Sequence, residues 1–377
     1  MSAELTNRPR MLTGDRPTGR LHLGHYVGSL ENRVALQQSY ESFFIVADLH
    51  LMTTRPERAE IEQIGAQARE MVLDSLAAGI DPDHAVFYLQ SGVPEVCVLN
   101  TLFQSLVSVP RLERIPSLKE MARSAGRREM SYALLGYPVL QTADILCVRA
   151  NAVPVGKDNH AHIEVTQEIA RRFNHLYGEL FPIPDAILSD TPLLVGTDGR
   201  AKMSKSLDNA IYLADDQTTV RRKVMAMFTD PARIRADVPA DPDSGNPVFS
   251  YHDIFNDDRG EVEELKERYR RGKVGDVEVK ERLAAALDRF LAPMRERRAA
   301  FEAQPGLVED LLVGGTERVR AETQETVRLA LEATGLSATL KRMRRKLERV
   351  RPRERPVELG TGRERDLSAA DGPASAR

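Results

Sequence analysis

Up to about residue 190, short apolar runs alternate with longer stretches of helical period, the pattern of a parallel β-sheet with crossover helices and hence of an α/β fold. Residues 42–48 read as one buried strand and residues 85–90 as another, each followed by a helical stretch, and Pro56 suits the first turn of the helix between them. A first strand is predicted at residues 9–13. It runs into Gly14-Asp15-Arg16-Pro17-Thr18-Gly19, where two glycines and a proline predict a tight loop, with a helix starting near His22. Beyond about residue 215 the strand signals nearly vanish. Residues 221–228, 260–271, 277–303 and 316–331 carry helical periodicity with many surface charges, which predicts a helical lobe, and residues 237–247, rich in Pro and Asp, read as a loop or linker.

A chain of 377 residues exceeds what one compact core usually encloses, which favours two domains or one large domain with an appended lobe. With 42% hydrophobic and 29% charged residues it has ample side chain for such cores, and global disorder is excluded. Its two cysteines, Cys97 and Cys147, fit neither a disulfide framework nor a zinc site. With no secretory leader or long apolar run, a cytoplasmic protein with no membrane contact and no resident metal is expected. The formal charge is -3, so contact with nucleic acid requires a local basic patch. Residues 341–355 hold nine basic and two acidic side chains, a candidate patch for nucleic-acid phosphates or a solvated helix end, and the polar run after residue 356 is expected to be disordered.

Two stretches carry chemistry. Pro17-Thr18-Gly19-Arg20-Leu21-His22-Leu23-Gly24-His25 follows a predicted strand and opens a helix, where backbone N–H groups and the positive helix end make an anion site. His22 and His25 share one side of the first turn and can donate to phosphate oxygens, while Gly24 leaves room for a flat ring. Taken alone, the same residues read equally as a surface histidine pair beside a loop glycine. The second stretch is Lys202-Met203-Ser204-Lys205-Ser206, preceded by Gly196-Thr197-Asp198-Gly199-Arg200. Two lysines among hydroxyls on a glycine-flanked loop form a cationic clamp suited to a polyphosphate, or in isolation a solvated turn.

The joint occurrence of this His-Leu-Gly-His turn and this Lys-Met-Ser-Lys-Ser loop resembles the class I aminoacyl-tRNA synthetases, whose two signatures they match. The resemblance covers roughly residues 10–340 and is strongest to the tryptophanyl-tRNA synthetases, through residues 136–146, 153–158, 162–164 and the Ala170-Arg171-Arg172-Phe173-Asn174 and Tyr177-Gly178 run. It implies a Rossmann-like catalytic domain over residues 8–214 and an α-helical anticodon-binding C-terminal region over 215–348, while composition makes residues 349–377 an expected disordered tail. It also implies a homodimer acting on ATP with Mg²⁺, L-tryptophan and tRNA(Trp). By matching motif, His22, His25, Lys202 and Lys205 are the expected catalytic groups. Arg16, Pro17, Thr18, Gly24, Gly156, Lys157, Asp158, Leu193, Met203, Ser204 and Ser206 join them around ATP. Asp144 is the expected acceptor for the indole N–H, with Gln141, Tyr137, His50, Leu12 and Val155 around it; Tyr137, Leu12 and Val155 also read as plain core, and His50 as a satisfied histidine at a strand end.

Arg16 stands where the bacterial pattern often has Gln, Gln141 where it often has Met, and Lys157-Asp158-Asn159 where Glu-Asp-Gln is frequent. A glutamine three residues before the pocket aspartate resembles the tyrosyl-tRNA synthetases, but residues 153–158 lack the Gly-Gly-Ser-Asp-Gln run of many bacterial tyrosine enzymes. Two further readings stay open: a synthetase-like protein that binds tryptophan for regulation, and a small-molecule nucleotidylyltransferase, which also uses a His-x-Gly-His turn.

Overall fold

The computed structural model describes residues 8–350 except 125, 127, 128, 157, 158, 189–193, 231, 232 and 234. Strands β1 (Arg10–Asp15), β2 (Glu41–Val46), β3 (Ala85–Leu89), β4 (Ala152–Val155) and β5 (Asp185–Leu188) form one sheet in the order β3-β2-β1-β4-β5. Every pairing is parallel, with Leu12 opposite Phe43 and Val153 opposite Ala186, so each connection has to cross over a face. β1 runs past the predicted Thr13 to Asp15, because Gly14 tolerates the close approach of β2: a Cβ there would lie 2.0 Å from the Ile45 carbonyl oxygen. β2 is shorter than the predicted 42–48. It gives way to a helical turn, Asp48–Met52, at whose start the Asp48 carboxylate accepts from Leu49 N and Ser91 N. Gln90 likewise leaves β3 for a 3₁₀ turn, Gln90–Gly92.

The principal helices are α1 (Ile64–Ala78), α2 (Val96–Gln104), α3 (Tyr137–Cys147) and α4 (His160–Tyr177), then α5 (Gln217–Met225), α6 (Pro247–Phe255), α7 (Arg259–Arg270), α8 (Asp276–Glu302), α9 (Leu307–Ala333) and α10 (Leu336–Val350). α6 has no counterpart in the sequence pattern. Pro247, Val248, Phe249, Tyr251, His252 and Phe255 are all buried and the polar face is only Ser250 and Asp253, too narrow to reveal the period, although Asn246 caps the helix at Val248 N. α9 starts at Leu307, well before the predicted 316, through Gly314-Gly315, which reads as a break. A Cβ at Gly315 would lie 1.9 Å from the Phe87 carbonyl oxygen, and Thr316 Oγ1 accepts from Leu89 N at 3.0 Å, so the helix is seated on edge strand β3.

Alternate residues of β2 feed two cores, one on each face of the sheet. Phe44 and Val46 pack with Leu73 and Leu76 of α1 and with Val220, Phe249, Leu287 and Val308 of the C-terminal helices. Phe43 and Ile45 pack with Leu99, Phe103, Ile145 and Phe173, and with Val319 and Val327 of α9. Both cores therefore contain side chains from either side of residue 214.

Candidate active site

β1 pairs with β2 on one side and β4 on the other, and the connections after these strands diverge at their carboxyl ends, where an open parallel sheet forms its crevice. A pocket there is lined by Leu12, Thr13, Gly14, Asp15 and Arg16 from β1 and its loop, Val153 and Pro154 from β4, and Ile45, Ala47, His50, Tyr137, Gln141, Asp144 and Ile145. Asp144, on α3, is 2% exposed. Its Oδ2 pairs with His50 Nε2 at 2.9 Å, and Gln90 Nε2 donates to Oδ1 at 2.9 Å and to Oδ2 at 2.8 Å. Gln90 has its orientation set from behind, because its Oε1 accepts from Leu49 N and His50 N. Burial raises the Asp144 carboxyl, and the His50 and Gln90 hydrogen bonds oppose that shift. The Tyr137 ring stands 4.1 Å from that of His50, and Gln141 Oε1 accepts from His162 Nδ1 at 2.8 Å. Thr13 Oγ1 and His50 Nδ1 are buried at the pocket without a partner, leaving hydrogen-bonding capacity for a polar ligand.

His22 and His25 open the helical segment that runs from Leu23 to Leu36, with a π turn at Tyr26–Leu30. Their rings lie 3.7 Å apart, and His25 Nδ1 accepts from His22 N at 3.2 Å. Burial, with Lys202 and Lys205 nearby, holds His22 down at about 2. Burial also holds His25 at about 4 against the pull of Asp15. Both imidazoles are neutral at pH 7, so each offers a single N–H, and the positive charge comes from the lysines. Asp15 is the reverse case: burial would raise it, but the Arg33 guanidinium at 2.5 Å outweighs burial and brings it to about 2.

The lysine loop reaches the histidines through the chain that follows it. Leu23 N donates to Ile211 O at 2.9 Å and Leu213 N to Leu21 O at 3.0 Å, joining two segments far apart in sequence. Lys205 Nζ donates to Thr18 O at 3.0 Å, Thr18 Oγ1 at 3.1 Å and Gly19 O at 3.0 Å, and burial lowers it to about 8. The room expected at Gly24 is filled from within: a Cβ there would lie 3.0 Å from His22 Nδ1 and 3.3 Å from Met203 Cβ, and Gly24 N contacts Met203 Sδ at 3.3 Å. Arg16 donates to Thr54 Oγ1 at 3.1 Å, and Pro17 is buried beside it. Lys202 and Ser206 are exposed, and Ser204 Oγ lies 3.0 Å from Ser206 Oγ.

Not every expected residue joins these groups. Val155, the last residue of β4, is buried in the core while Val153 and Pro154 form the pocket wall, and Gly156 follows β4 half-buried. Lys157, Asp158 and Leu193 lie outside the described residues. Sequence reasoning missed Gln90, whose signal is a polar residue at the carboxyl end of a parallel strand, and Asn209, a buried amide behind the lysine loop.

A family model described as tRNA synthetases class I (W and Y) matches residues 4–292, and the chain belongs to that class of enzyme. The tryptophan–tRNA ligase of Treponema pallidum is 61% identical over 329 residues, 87% of this chain and 97% of that protein. That of Borreliella burgdorferi is 53% identical over 334 residues, 88% and 95%. Among solved structures, tryptophanyl-tRNA synthetase from Campylobacter jejuni, complexed with ADP and tryptophan, aligns with a TM-score of 0.73 at 32% identity, covering 86% of this chain and 99% of that one. Within the class, the chain is a member of the tryptophanyl-tRNA synthetases.

Proposed function

We propose that the protein joins L-tryptophan to tRNA(Trp) in two steps. A tryptophan carboxylate oxygen bonds to the α-phosphorus of ATP as the bond from that phosphorus to the bridging oxygen breaks, giving tryptophanyl-adenylate and pyrophosphate. A terminal ribose hydroxyl of the tRNA then bonds to the activated carbonyl, and AMP leaves. No protein nucleophile is needed, so the residues act by positioning and by stabilising charge. His22 and His25 donate neutral N–H groups to phosphate oxygens, and Lys202 and Lys205 balance the charge building on the leaving pyrophosphate. Magnesium would travel with the triphosphate, whose phosphate oxygens supply the hard ligands it prefers. Residues 215–348 would engage the anticodon arm, in a homodimer working in the cytoplasm. No helix among the described residues is long and apolar enough to cross a membrane.

The observation that carries the choice of amino acid is Asp144, a buried carboxylate held by His50 and Gln90 at the pocket. Such an acceptor suits the single N–H of an indole: with His50 and Gln90 already bound, the carboxylate keeps lone-pair capacity for one more donor, which a side chain such as Phe cannot supply. ATP–pyrophosphate exchange with Trp, Tyr and Phe tests this. Tryptophan should be the preferred substrate and Phe should be rejected by a factor on the order of 10⁴. Asp144→Ala should raise the tryptophan KM. Exchange supported better by Tyr, or an unchanged KM in a folded Asp144→Ala, would refute the assignment.

A further inference from the structure

We propose that Asn209 is a positioning residue that sets the resting geometry of the lysine loop and so the rate of pyrophosphate departure, a role that rests on the reading of Lys202 and Lys205 given above. The loop is a narrow hairpin. One arm approaches the tip through Val195, which bridges to Lys202, and Gly196; the other returns through Met203, whose N donates to Leu194 O at 3.0 Å. Asn209 is 2% exposed and sits behind both arms, just after the 3₁₀ turn Lys205–Leu207. Its Oδ1 accepts from Ser204 N, between the two lysines, at 2.7 Å. Because Ser204 N can only donate, the amide's orientation is determined, and its Nδ2 faces Asp198 Oδ1 at 3.1 Å and Lys202 O at 3.4 Å. The Asn209 carbonyl accepts from Thr197 N at 3.0 Å. A Cβ on Gly196 would lie 2.1 Å from Nδ2, so the first arm rests directly on the amide.

One side chain therefore ties the loop tip, the carbonyl of Lys202 and the N–H of Ser204 into one unit. Asn209→Asp is the discriminating change. It keeps the size and the acceptor for Ser204 N, but turns the donor into an oxygen facing the Asp198 carboxylate and the Lys202 carbonyl. Two acceptors then meet a third with no hydrogen among them. Asp198→Asn returns a donor to that contact from the opposite side, so the double variant mirrors the native pair.

The test is tryptophan-dependent ATP–pyrophosphate exchange in the full-length protein, with Lys205→Ala measured alongside. Asn209→Asp should lower kcat by about tenfold while leaving the tryptophan KM within about twofold, and the double variant should recover to within about threefold of the parent. Asp198→Ala, a change at the loop surface that leaves the core intact, should lower kcat in the same direction by a smaller factor. Together these results support the role. An undiminished kcat in Asn209→Asp, or a double variant no faster than Asn209→Asp, overturns it. If Lys205→Ala keeps its full kcat, the reading of the loop itself fails and this inference with it. A slow Lys205→Ala beside an unaffected Asn209→Asp removes only the role of Asn209.

Discussion

Lys205 is the most exposed of the site groups to a change of pH. Its ammonium is held by three oxygens of the Thr18-Gly19 turn, yet burial brings it down to about 8. The charged form, the one the proposed contact with pyrophosphate uses, is present below that value and lost above it. The kcat/KM for ATP in pyrophosphate exchange should therefore fall as pH rises through about 8. In Lys205→Arg, whose guanidinium keeps its proton, that alkaline limb should disappear even if the maximal rate is lower. A limb that persists in the arginine variant would assign it to another group. At the same scale, Asp144 could be singled out by its surrounding motif, whereas Gln90 could not. Its role depends on the fold bringing the end of β3 against α3 and on two backbone N–H groups that turn its amide towards the carboxylate.

α9 shows how an element reads differently from its own residues and from its surroundings. Intrinsic propensity favours Gly315→Ala by about 1 kcal/mol. The added Cβ would meet the Phe87 carbonyl at 1.9 Å, a backbone atom unable to yield, and overpacking of this kind costs about 1–3 kcal/mol. The second effect should win. Gly315→Ala should melt at a lower temperature than the parent, and a higher melting temperature would mean that α9 does not bear on β3. α10 is a different case. None of its residues is buried, and it joins α9 through Lys341 and Glu332 at 2.9 Å. If its cations touch tRNA phosphates, replacing Arg342, Arg345 and Arg349 by Gln should weaken tRNA binding. The salt dependence should flatten as well, by about one unit of log–log slope for each phosphate these side chains neutralise. Amino-acid activation should be unaffected. An unchanged slope would leave these arginines as solvated surface.

Over the whole molecule, the neutral histidines link stability to pH. In an unfolded chain they take up protons near 6.5, while the folded site holds His25 off until about 4 and His22 until about 2. Their contribution is thus fully present above about 6.5 and is lost as pH falls through these folded values. Asp74, raised to about 6 by burial although Arg298 pulls against it, acts with the opposite sign in part of that window. Comparison with His25→Asn isolates the imidazole: the urea midpoint of the parent should drop more between pH 7 and pH 4.5 than that of the variant, and equal drops would show that His25 does not resist protonation. The sequence by itself determined the β–α alternation, the centres of β1, β2 and β3, most C-terminal helices and the His-Leu-Gly-His and Lys-Met-Ser-Lys-Ser motifs, because period, turn chemistry and motif spacing are local properties of the chain. Only the tertiary structure decided where β1 ends, that α6 exists, that α8 and α9 complete the cores beside the sheet, and that Gln90, Asn209 and the Thr18-Gly19 turn hold the reactive side chains. Each of these depends on close approach between residues distant in sequence: a backbone against a glycine, a helix buried on all but a narrow face, or an amide oriented by groups from several elements. Such contacts leave no periodic mark on the chain.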